Sequence, residues 1–366
     1  MKLEIHGLDW VDKELDKIGE FLKIKPVWYD LANHTFSWID TRLIPWEEKI
    51  HETSDYRRVA RAIKDMEIRG APAIGVSAAF GLALAVVHSN AKSLDELLAH
   101  AREAKETLAS TRPTAYNLFW ALDRVWNRIA GANDVDDARY RALDEAWRIY
   151  IEDVKGNIEI GRHGSRLIED GDTIMTHCNT GALATAGFGT ALGVIRYAWY
   201  EGKRISVVTT ETRPVLQGAR LNVWELRKEG IPFKVIVDGA AGITLREGKA
   251  DKVIVGADRI ILTGHTANKI GTYMVALAAW HNQKPFYVAA PTSTFQENDD
   301  PRSIVIEERD PEEVRTIMGR FRILSEDVKV YNPSFDVTPP ELITAFITEK
   351  GIVNPPYREN IRKILG

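Results

Sequence analysis

The sequence predicts an α/β protein, with a small N-terminal domain of short strands and helices followed by a larger domain built on a parallel sheet. Three observations carry this reading. The chain has 366 residues, 45% of them hydrophobic, enough for about two domains at roughly 100–200 residues each, both able to bury a core. From Ser54 to about Trp147, Ala, Leu, Glu and Arg dominate and apolar residues recur at helical spacing. After about Ile158, short β-branched runs alternate with helical segments, the pattern of crossover units whose parallel sheet is covered on both faces. The expected division is 1–150 for a mixed, mainly helical domain and 151–366 for the parallel-sheet domain.

Each element follows in order. The first sixty residues are aromatic-rich, with Trp28, Tyr29, Phe36, Trp38, Ile39 and Trp46 around strand-like runs such as His34–Ile39, and read as a small sheet. Gly70–Val87 is the longest nearly uncharged stretch, punctuated by Pro72, Gly75, Ser77 and Gly81. It is marginal for a bilayer span and reads as a buried helix. Leu94–Leu108 and Tyr116–Ile129 read as amphipathic helices. In the second half, Thr173–Thr176, Ile205–Thr209, Phe233–Val237, Lys252–Val255 and Pro285–Ala289 are the expected strands, with helices expected to begin near Ala182, Pro214, Ala240 and Ile270.

Composition excludes several classes. Lys and Arg total 48 against 52 Asp and Glu, a net charge of −4, so the basic excess expected of a nucleic-acid binder is missing. The single cysteine, Cys178, rules out an internal disulfide and a zinc site made of several thiolates. The start, MKLEIHGLDW, has no hydrophobic leader. A soluble protein of a reducing, cytoplasmic compartment is the expectation, with no membrane partner.

In a parallel α/β sheet, ligands bind outside the carboxyl ends of the strands. The first such end reads Thr176-His177-Cys178-Asn179-Thr180-Gly181, followed by a small-residue segment with Gly187, Gly189 and Gly193 read as a helix. Such a turn presents backbone N–H groups to an anion, but its spacing is not the dinucleotide fingerprint. Cys178 at the mouth of the crevice is either an activated thiol or a small buried hydrophobe. His177 is a tempting base for it, but adjacent strand residues point to opposite faces. The second end places Asp258 after Val255-Gly256-Ala257, as a helix cap, a ligand group or an acid–base catalyst. The segment Ala267-Asn268-Lys269-Ile270-Gly271 follows, and a lysine at a helix start opposes the dipole unless an anion binds there. The third, Thr210-Glu211-Thr212-Arg213-Pro214, places Gln217 near the crevice.

Two basic motifs lie in the helical half, Arg69-Gly70-Ala71-Pro72 and Thr111-Arg112-Pro113-Thr114. Each sets an arginine before an apolar helix, and its planar fork suits phosphate oxygens, although an exposed loop arginine is the commoner reading of either motif alone. No His, Asp or Glu cluster has metal-ligand spacing, and neither a Walker A sequence nor a nucleophile elbow occurs. A small anion, one thiol and one carboxyl at the end of a parallel sheet fit proton-transfer chemistry on a phosphorylated metabolite, with no cofactor and no metal.

Taken together, EIRGAPAIG (Glu67–Gly75), STRPTAYN (Ser110–Asn117), THCNTGALATAGFGTALGVI (Thr176–Ile195), ETRPVLQGARL (Glu211–Leu221), VGADRI (Val255–Ile260) and ANKIGTY (Ala267–Tyr273) closely resemble the methylthioribose-1-phosphate isomerase family. IEERDPEEV (Ile306–Val314) and FDVTPPELITAFITEKG (Phe335–Gly351) extend the likeness nearly to the C-terminus. The segment before Val27 resembles an extension without a usable motif, and VDGAAGITL (Val237–Leu245) is looser, so Asp238 receives no role. The resemblance implies conversion of 5-methylthioribose 1-phosphate to 5-methylthioribulose 1-phosphate in methionine salvage, a Rossmann-like C-terminal domain and a homodimer. It implies catalytic residues Cys178 and Asp258, and substrate contacts from Arg69, Gly70, Ala71, Arg112, Gln217, Asn268 and Lys269. Two relatives of the same fold stay open as alternatives: ribose-1,5-bisphosphate isomerases, and regulatory subunits of a translation-initiation exchange factor. The latter are binding modules that generally lack the Cys/Asp pair.

A sugar phosphorylated on its anomeric carbon cannot open by losing a hydroxyl proton, so its ring oxygen must be protonated. Asp258 is the acid the motifs offer, and it must be desolvated to hold a proton near neutral pH. Transfer from C2 to C1 then runs through a proton and an enediol-like state, or through a hydride shift. Cys178 serves as base in the first and as a polarisable stabiliser in the second. Arg69, Arg112 and Lys269 hold the phosphate, and since the arginines come from the helical half the site is expected between the domains. Only Gln217, Gln283 and Gln296 are glutamines while 27% of residues are charged, a composition that also predicts a thermostable protein.

Overall fold

The computed structural model describes residues 5–366 apart from Thr114. Residues 1–4 and Thr114, the last residue of the Thr111–Thr114 motif, lie outside the described residues. The chain forms two compact units, one comprising residues up to Lys155 together with Ala182–Gly189, the other Gly156–Gly181 with Thr190–Gly366.

The first unit opens with helix α1 (Asp9–Ile18) and an antiparallel sheet of β1 (Val27–Asp30), β2 (Thr35–Ile39) and β3 (Ile50–Thr53) in that order. Five helices follow: α2 (Tyr56–Lys64), α3 (Ala71–Val87), α4 (Leu94–Ala109), α5 (Tyr116–Ala130) and α6 (Val135–Ser165). The division between the units falls within α6. Helix α3 is the apolar Gly70–Val87 stretch, buried along almost its whole length. Its small residues explain how other helices crowd it on several sides. A Cβ on Gly75 would lie 2.9 Å from the Asn117 carbonyl oxygen of α5, and one on Gly81 3.0 Å from Leu108 of α4. Of the aromatic residues read as a small sheet, Tyr29 and Phe36 pack on α3, where Phe80 stacks on Tyr29 at 5.1 Å and Phe36 at 5.6 Å and meets Trp147 of α6 edge-on at 5.3 Å, while Trp46 is exposed. Such pairs contribute beyond their buried area, about 0.5–1.5 kcal/mol each.

Within the second unit the chain forms β4 (Thr173–Thr176), α7 (Ala191–Tyr200), β5 (Ser206–Thr210), α8 (Val223–Glu229), β6 (Phe233–Ile236), α9 (Ala241–Arg246) and β7 (Lys252–Val255). Then come β8 (Arg259–Ile261), β9 (Thr266–Lys269), α10 (Thr272–His281), β10 (Phe286–Ala289) and β11 (Phe295–Gln296). The chain ends with α11 (Glu312–Arg315), β12 (Thr316–Ile317), β13 (Phe321–Arg322), β14 (Phe335–Thr338), β15 (Ala345–Thr348), β16 (Gly351–Val353) and α12 (Tyr357–Leu365). Seven strands make one sheet in the order β16-β15-β10-β7-β4-β5-β6, parallel except for β16. Alternate residues feed two cores. Val253 and Val255 of β7 face one, with Met175, Val208 and Phe286, while Ile254 faces the other, with Ile174, Val207 and Tyr287. This is the pattern of a sheet buried on both faces, and it makes the strands near-continuous apolar runs. A smaller sheet, β11-β8-β9-β14, lies beyond the end of β7.

Two helix starts, those expected near Ala182 and Pro214, differ from expectation, while α9 at Ala241 and α10 at Thr272 begin close to the expected Ala240 and Ile270. Ala182–Ala184 is a single 3₁₀ turn, and the helix after β4 begins only at Ala191. Residues 182–189 instead pack with the first unit, where Phe188 meets Phe21 edge-on at 5.6 Å and the Ala186 N–H donates to Asp153 at 2.7 Å. Small residues there serve tight packing: a Cβ on Gly187 would lie 2.5 Å from Leu22. After β5 the chain turns through Pro214 and enters a π-helical turn at Gly218–Asn222 before α8. Following β6, a 3₁₀ turn at Asp238–Ala240 precedes α9. Lys269 ends β9 and α10 starts at Thr272, so the lysine is a strand-end residue rather than the first residue of a helix.

Candidate active site

Strand order places the site. The chain steps from β4 outward through β5 to β6, then returns to the other side of β4 with β7 and continues outward to β10 and β15. The order therefore reverses between β4 and β7, a switch point where the outgoing connections diverge and leave a crevice at the carboxyl ends. Cys178 follows β4 and Asp258 follows β7, one on each side of that reversal, and Gln217 follows β5, the other neighbour of β4.

Cys178 is 5% exposed and adopts a left-handed backbone conformation, φ 64°. A residue with a Cβ in that region needs its surroundings to hold it there. Its N–H donates to Thr212 Oγ1 at 3.0 Å, its carbonyl accepts from Asn222 Nδ2 at 2.7 Å, and Gln217 Nε2 donates to its sulfur at 3.5 Å. Thr212 is held in turn by Asp238, which accepts the N–H groups of Thr212 and Arg213 at 2.7 Å each. At Gly218 the close approach leaves no room for a side chain, because a Cβ would sit 1.9 Å from the Thr210 carbonyl oxygen. The loop after β5 is thereby pressed onto the end of its own strand, which brings Gln217 to the thiol. Gln217 is 5% exposed and its Oε1 has no hydrogen-bond partner, and burying an unpaired carbonyl is costly unless a ligand donor reaches it.

His177 does not serve as a base for its neighbour. Its Nε2 lies 2.8 Å from the Ile270 carbonyl, which can only accept, so this nitrogen carries the proton. Nδ1 then accepts from Thr210 Oγ1 at 2.7 Å. Burial pushes the imidazole below its ordinary range, which keeps it neutral and the tautomer fixed. Thr210 accepts in turn from Thr212 at 3.0 Å. The result is one directed chain from the Cys178 N–H through Thr212, Thr210 and His177 to the loop after β9. Gly271, at φ 101°, lets that loop close on the ring: a Cβ there would lie 2.9 Å from His177 Cε1.

Asp258 is half-buried, and its N–H donates to the Ala267 carbonyl at 2.9 Å, pairing it with β9. Asn268 and Lys269 follow on that strand. Asn268 is buried and donates to Thr272 Oγ1 at 3.1 Å, while Lys269 holds its ammonium 4.5 Å from the Phe335 ring centroid. Asp336, on the antiparallel neighbour of β9, accepts the N–H groups of Gly271 at 2.7 Å and Tyr273 at 3.0 Å. Desolvation pushes its carboxyl up to about 6.

The remaining expected contacts are on the first unit. Gly70 has φ 98°, and a Cβ there would come within 2.4 Å of the Ala184 carbonyl oxygen. Ala71 opens α3, and Arg112 lies just before α5. The contact of Gly75 with Asn117 sets the first turns of these helices side by side, so Arg69 and Arg112 precede neighbouring helix N-termini, both favourable to an anion. Glu67 steadies the first arginine's segment: it accepts from Trp38 at 2.9 Å, Arg42 at 3.0 Å and Arg58 at 2.7 Å. Asp40, His51 and Glu67 bring ligand-type atoms within 4.8 Å of one another. Arg42 occupies both oxygens of Asp40 as well as one of Glu67, making this an ion-pair cluster rather than a cation cage.

Sequence reasoning missed Thr212, Asn222, Glu225, Asp238 and Asp336. Asp238 had a signal, an aspartate directly after an apolar strand. Asn222, Glu225 and Glu229 had another, polar residues at helical spacing where an apolar stripe belongs.

A thiol and a carboxyl thus follow the two strands that flank the switch point of a parallel sheet, the place where open α/β sheets take small molecules. The Initiation factor 2 subunit family matches residues 67–355. A putative methylthioribose-1-phosphate isomerase of Aeropyrum pernix is 62% identical over 96% of this chain and 97% of its own length. The methylthioribose-1-phosphate isomerase of Thermosipho melanesiensis is 51% identical over 94% of this chain and 99% of its own. Among solved structures, the 5-methylthioribose 1-phosphate isomerase of Pyrococcus horikoshii is 42% identical with a TM-score of 0.88, covering 99% of both chains. Translation initiation factor eIF-2B subunit delta of A. fulgidus is 44% identical with a TM-score of 0.85, covering 94% of this chain and 99% of that one. The chain belongs to the Initiation factor 2 subunit family, among its methylthioribose-1-phosphate isomerase members.

Proposed function

We propose that this protein converts 5-methylthioribose 1-phosphate to 5-methylthioribulose 1-phosphate, a step of methionine salvage, as a cytoplasmic homodimer without metal or cofactor. The observation that carries the reading is the placement of Cys178 and Asp258 after the two strands that flank the switch point. Asp258 protonates the ring oxygen as the C1–O bond of the ring breaks, leaving a phosphate-bearing electron-deficient C1. Hydrogen then moves from C2 to C1, as a hydride or by way of Cys178 as base, and the C2 hydroxyl proton leaves to give the ketone. Arg69, Arg112 and Lys269 bind the phosphate, and Gly70 and Ala71 are further substrate contacts. Gln217 Oε1 and Asn268 take sugar hydroxyls, a role that the unpartnered Gln217 oxygen supports. Excluding water protects the opened sugar.

The outer face of α10 supports the dimer, since Met274 is 65% and Trp280 61% exposed beside Leu277. Aspartate at Met274 and Trp280 together is expected to yield monomers by light scattering.

Turnover of methylthioribose 1-phosphate and of ribose 1,5-bisphosphate by chelator-treated protein tests the reaction. Preference for the first substrate is expected, since a methylthio group needs an apolar pocket and a second phosphate needs further cations. The 44% identity to an initiation-factor subunit supports a second reading, a non-catalytic binding module. Tight binding to an initiation-factor partner with no isomerase activity would establish it.

A further inference from the structure

Behind Cys178 lies a buried ionic relay that the reaction as described does not use. Asn179 Nδ2, on the residue after the thiol, donates to Glu225 Oε1 at 2.8 Å and to Asn222 Oδ1 at 2.9 Å. Asn222 donates to the Cys178 carbonyl at 2.7 Å and to Thr209 Oγ1 at 2.9 Å. Arg196 of α7 donates to Glu225 Oε2 at 2.5 Å and to Glu229 at 3.0 Å, and Tyr200, one turn further along α7, donates to Glu229 at 2.6 Å. Side chains of Arg196, Glu225 and Glu229 are 3%, 0% and 3% exposed.

Three features show that this relay is built around the thiol turn. Asn222, Glu225 and Glu229 stand at i, i+3 and i+7, so one helix face presents all of them to the Cys178–Gly181 loop and to α7. Asn222 ends the π-helical turn, a rare insertion that re-aims a face and recurs at functional sites. Gly181 has no space for a side chain because the Glu225 carboxylate occupies it: a Cβ would lie 2.1 Å from Oε2. Burying an ion pair gains little stability over apolar packing, because desolvation offsets the attraction. What it supplies is fixed geometry, here at a residue whose left-handed backbone cannot hold itself.

We propose that Glu225, acting through Asn179 and Asn222, is a positioning residue that sets the orientation of the Cys178 thiol. Arg196 fixes the carboxylate, the carboxylate fixes the Asn179 amide, and Asn222 ties the same network to the Cys178 carbonyl. Displacing a reacting group by about an ångström costs about 100-fold in rate, so the relay acts on turnover and not on substrate affinity. This inference rests on the catalytic role proposed for Cys178.

The test uses full-length Glu225→Ala, Glu225→Gln and Asn222→Ala, with kcat, KM, thermal melting and the rate of iodoacetamide alkylation at a single pH. Cys178 is the only cysteine, so alkylation reads its geometry independently of turnover. The expected result is a fall in kcat of about 100-fold for Glu225→Ala and Asn222→Ala, with KM within about 3-fold and an altered alkylation rate. Glu225→Gln keeps an acceptor for Asn179 and is expected to recover most of the kcat. Wild-type kcat and alkylation in folded Asn222→Ala, or losses that follow the folded fraction alone, would overturn the proposal. Should Glu225→Ala not fold, Asn222→Ala and Glu225→Gln decide it by the same readouts. Wild-type protein without isomerase activity would instead refute the proposed reaction, and alkylation of the variants would still judge the relay.

Discussion

Gln217 donates its side-chain amide to the sulfur of Cys178 across 3.5 Å, while its own carbonyl oxygen is buried without a partner. One side chain therefore touches the thiol and offers an unsatisfied acceptor. Replacing it by glutamate sets a negative charge against the sulfur, and like-charge repulsion disfavours the thiolate. Gln217→Glu is expected to slow alkylation of Cys178 by at least about 10-fold at neutral pH. Gln217→Leu removes the acceptor and is expected to raise KM instead. Unchanged alkylation in the glutamate variant would contradict the contact.

The two residues flanking the switch point should fail together in turnover and not in folding. Cys178→Ala and Asp258→Asn are each expected to lower kcat by about 100-fold or more, the scale of losing an acid–base group, with unchanged melting temperatures. Lys269→Ala is expected to act mainly on KM. Near wild-type kcat in Cys178→Ala would return the thiol to a packing role.

Asp336 gives a pH dependence of stability with a definite sign. Its carboxyl is pushed up to about 6 by burial, from an ordinary 3.8, so the folded protein binds this proton more tightly than the unfolded chain. The proton's contribution is complete below about 4 and is lost as the pH rises through about 6. Relative to Asp336→Asn, which cannot titrate, wild-type stability is expected to decline from pH 4 to pH 6. Denaturant titrations of both proteins across that window check it, and parallel curves would refute the assignment.

Ion-pair clusters support the expected heat resistance. Asp144 is 1% exposed and engages both Arg128 and Arg148, and Arg42 and Arg58 converge on Glu67. Such networks gain weight as temperature rises, because the hydration of charge becomes less favourable. Calorimetry is expected to give a melting temperature above about 90 °C, and an ordinary melt of about 45–65 °C would refute it.

Local pattern determined much of this protein by itself. The β-branched runs specify Thr173–Thr176 and Lys252–Val255 as strands, and the uncharged stretch specifies α3, because a sheet covered on both faces and a helix crowded by small residues each impose a composition that reads directly along the chain. Only the tertiary structure decided the rest. Residues 182–189 carry helix-forming alanines, yet contacts with Leu22, Asp153 and Phe21 outweigh that weak local preference and draw the segment into the first unit. Cys178, Thr212, Asn222 and Glu225 meet because β4 and β5 are adjacent and their loops fold back onto one another. Strand adjacency is set by long-range pairing, and hydrogen bonds across more than thirty residues leave no period in the sequence.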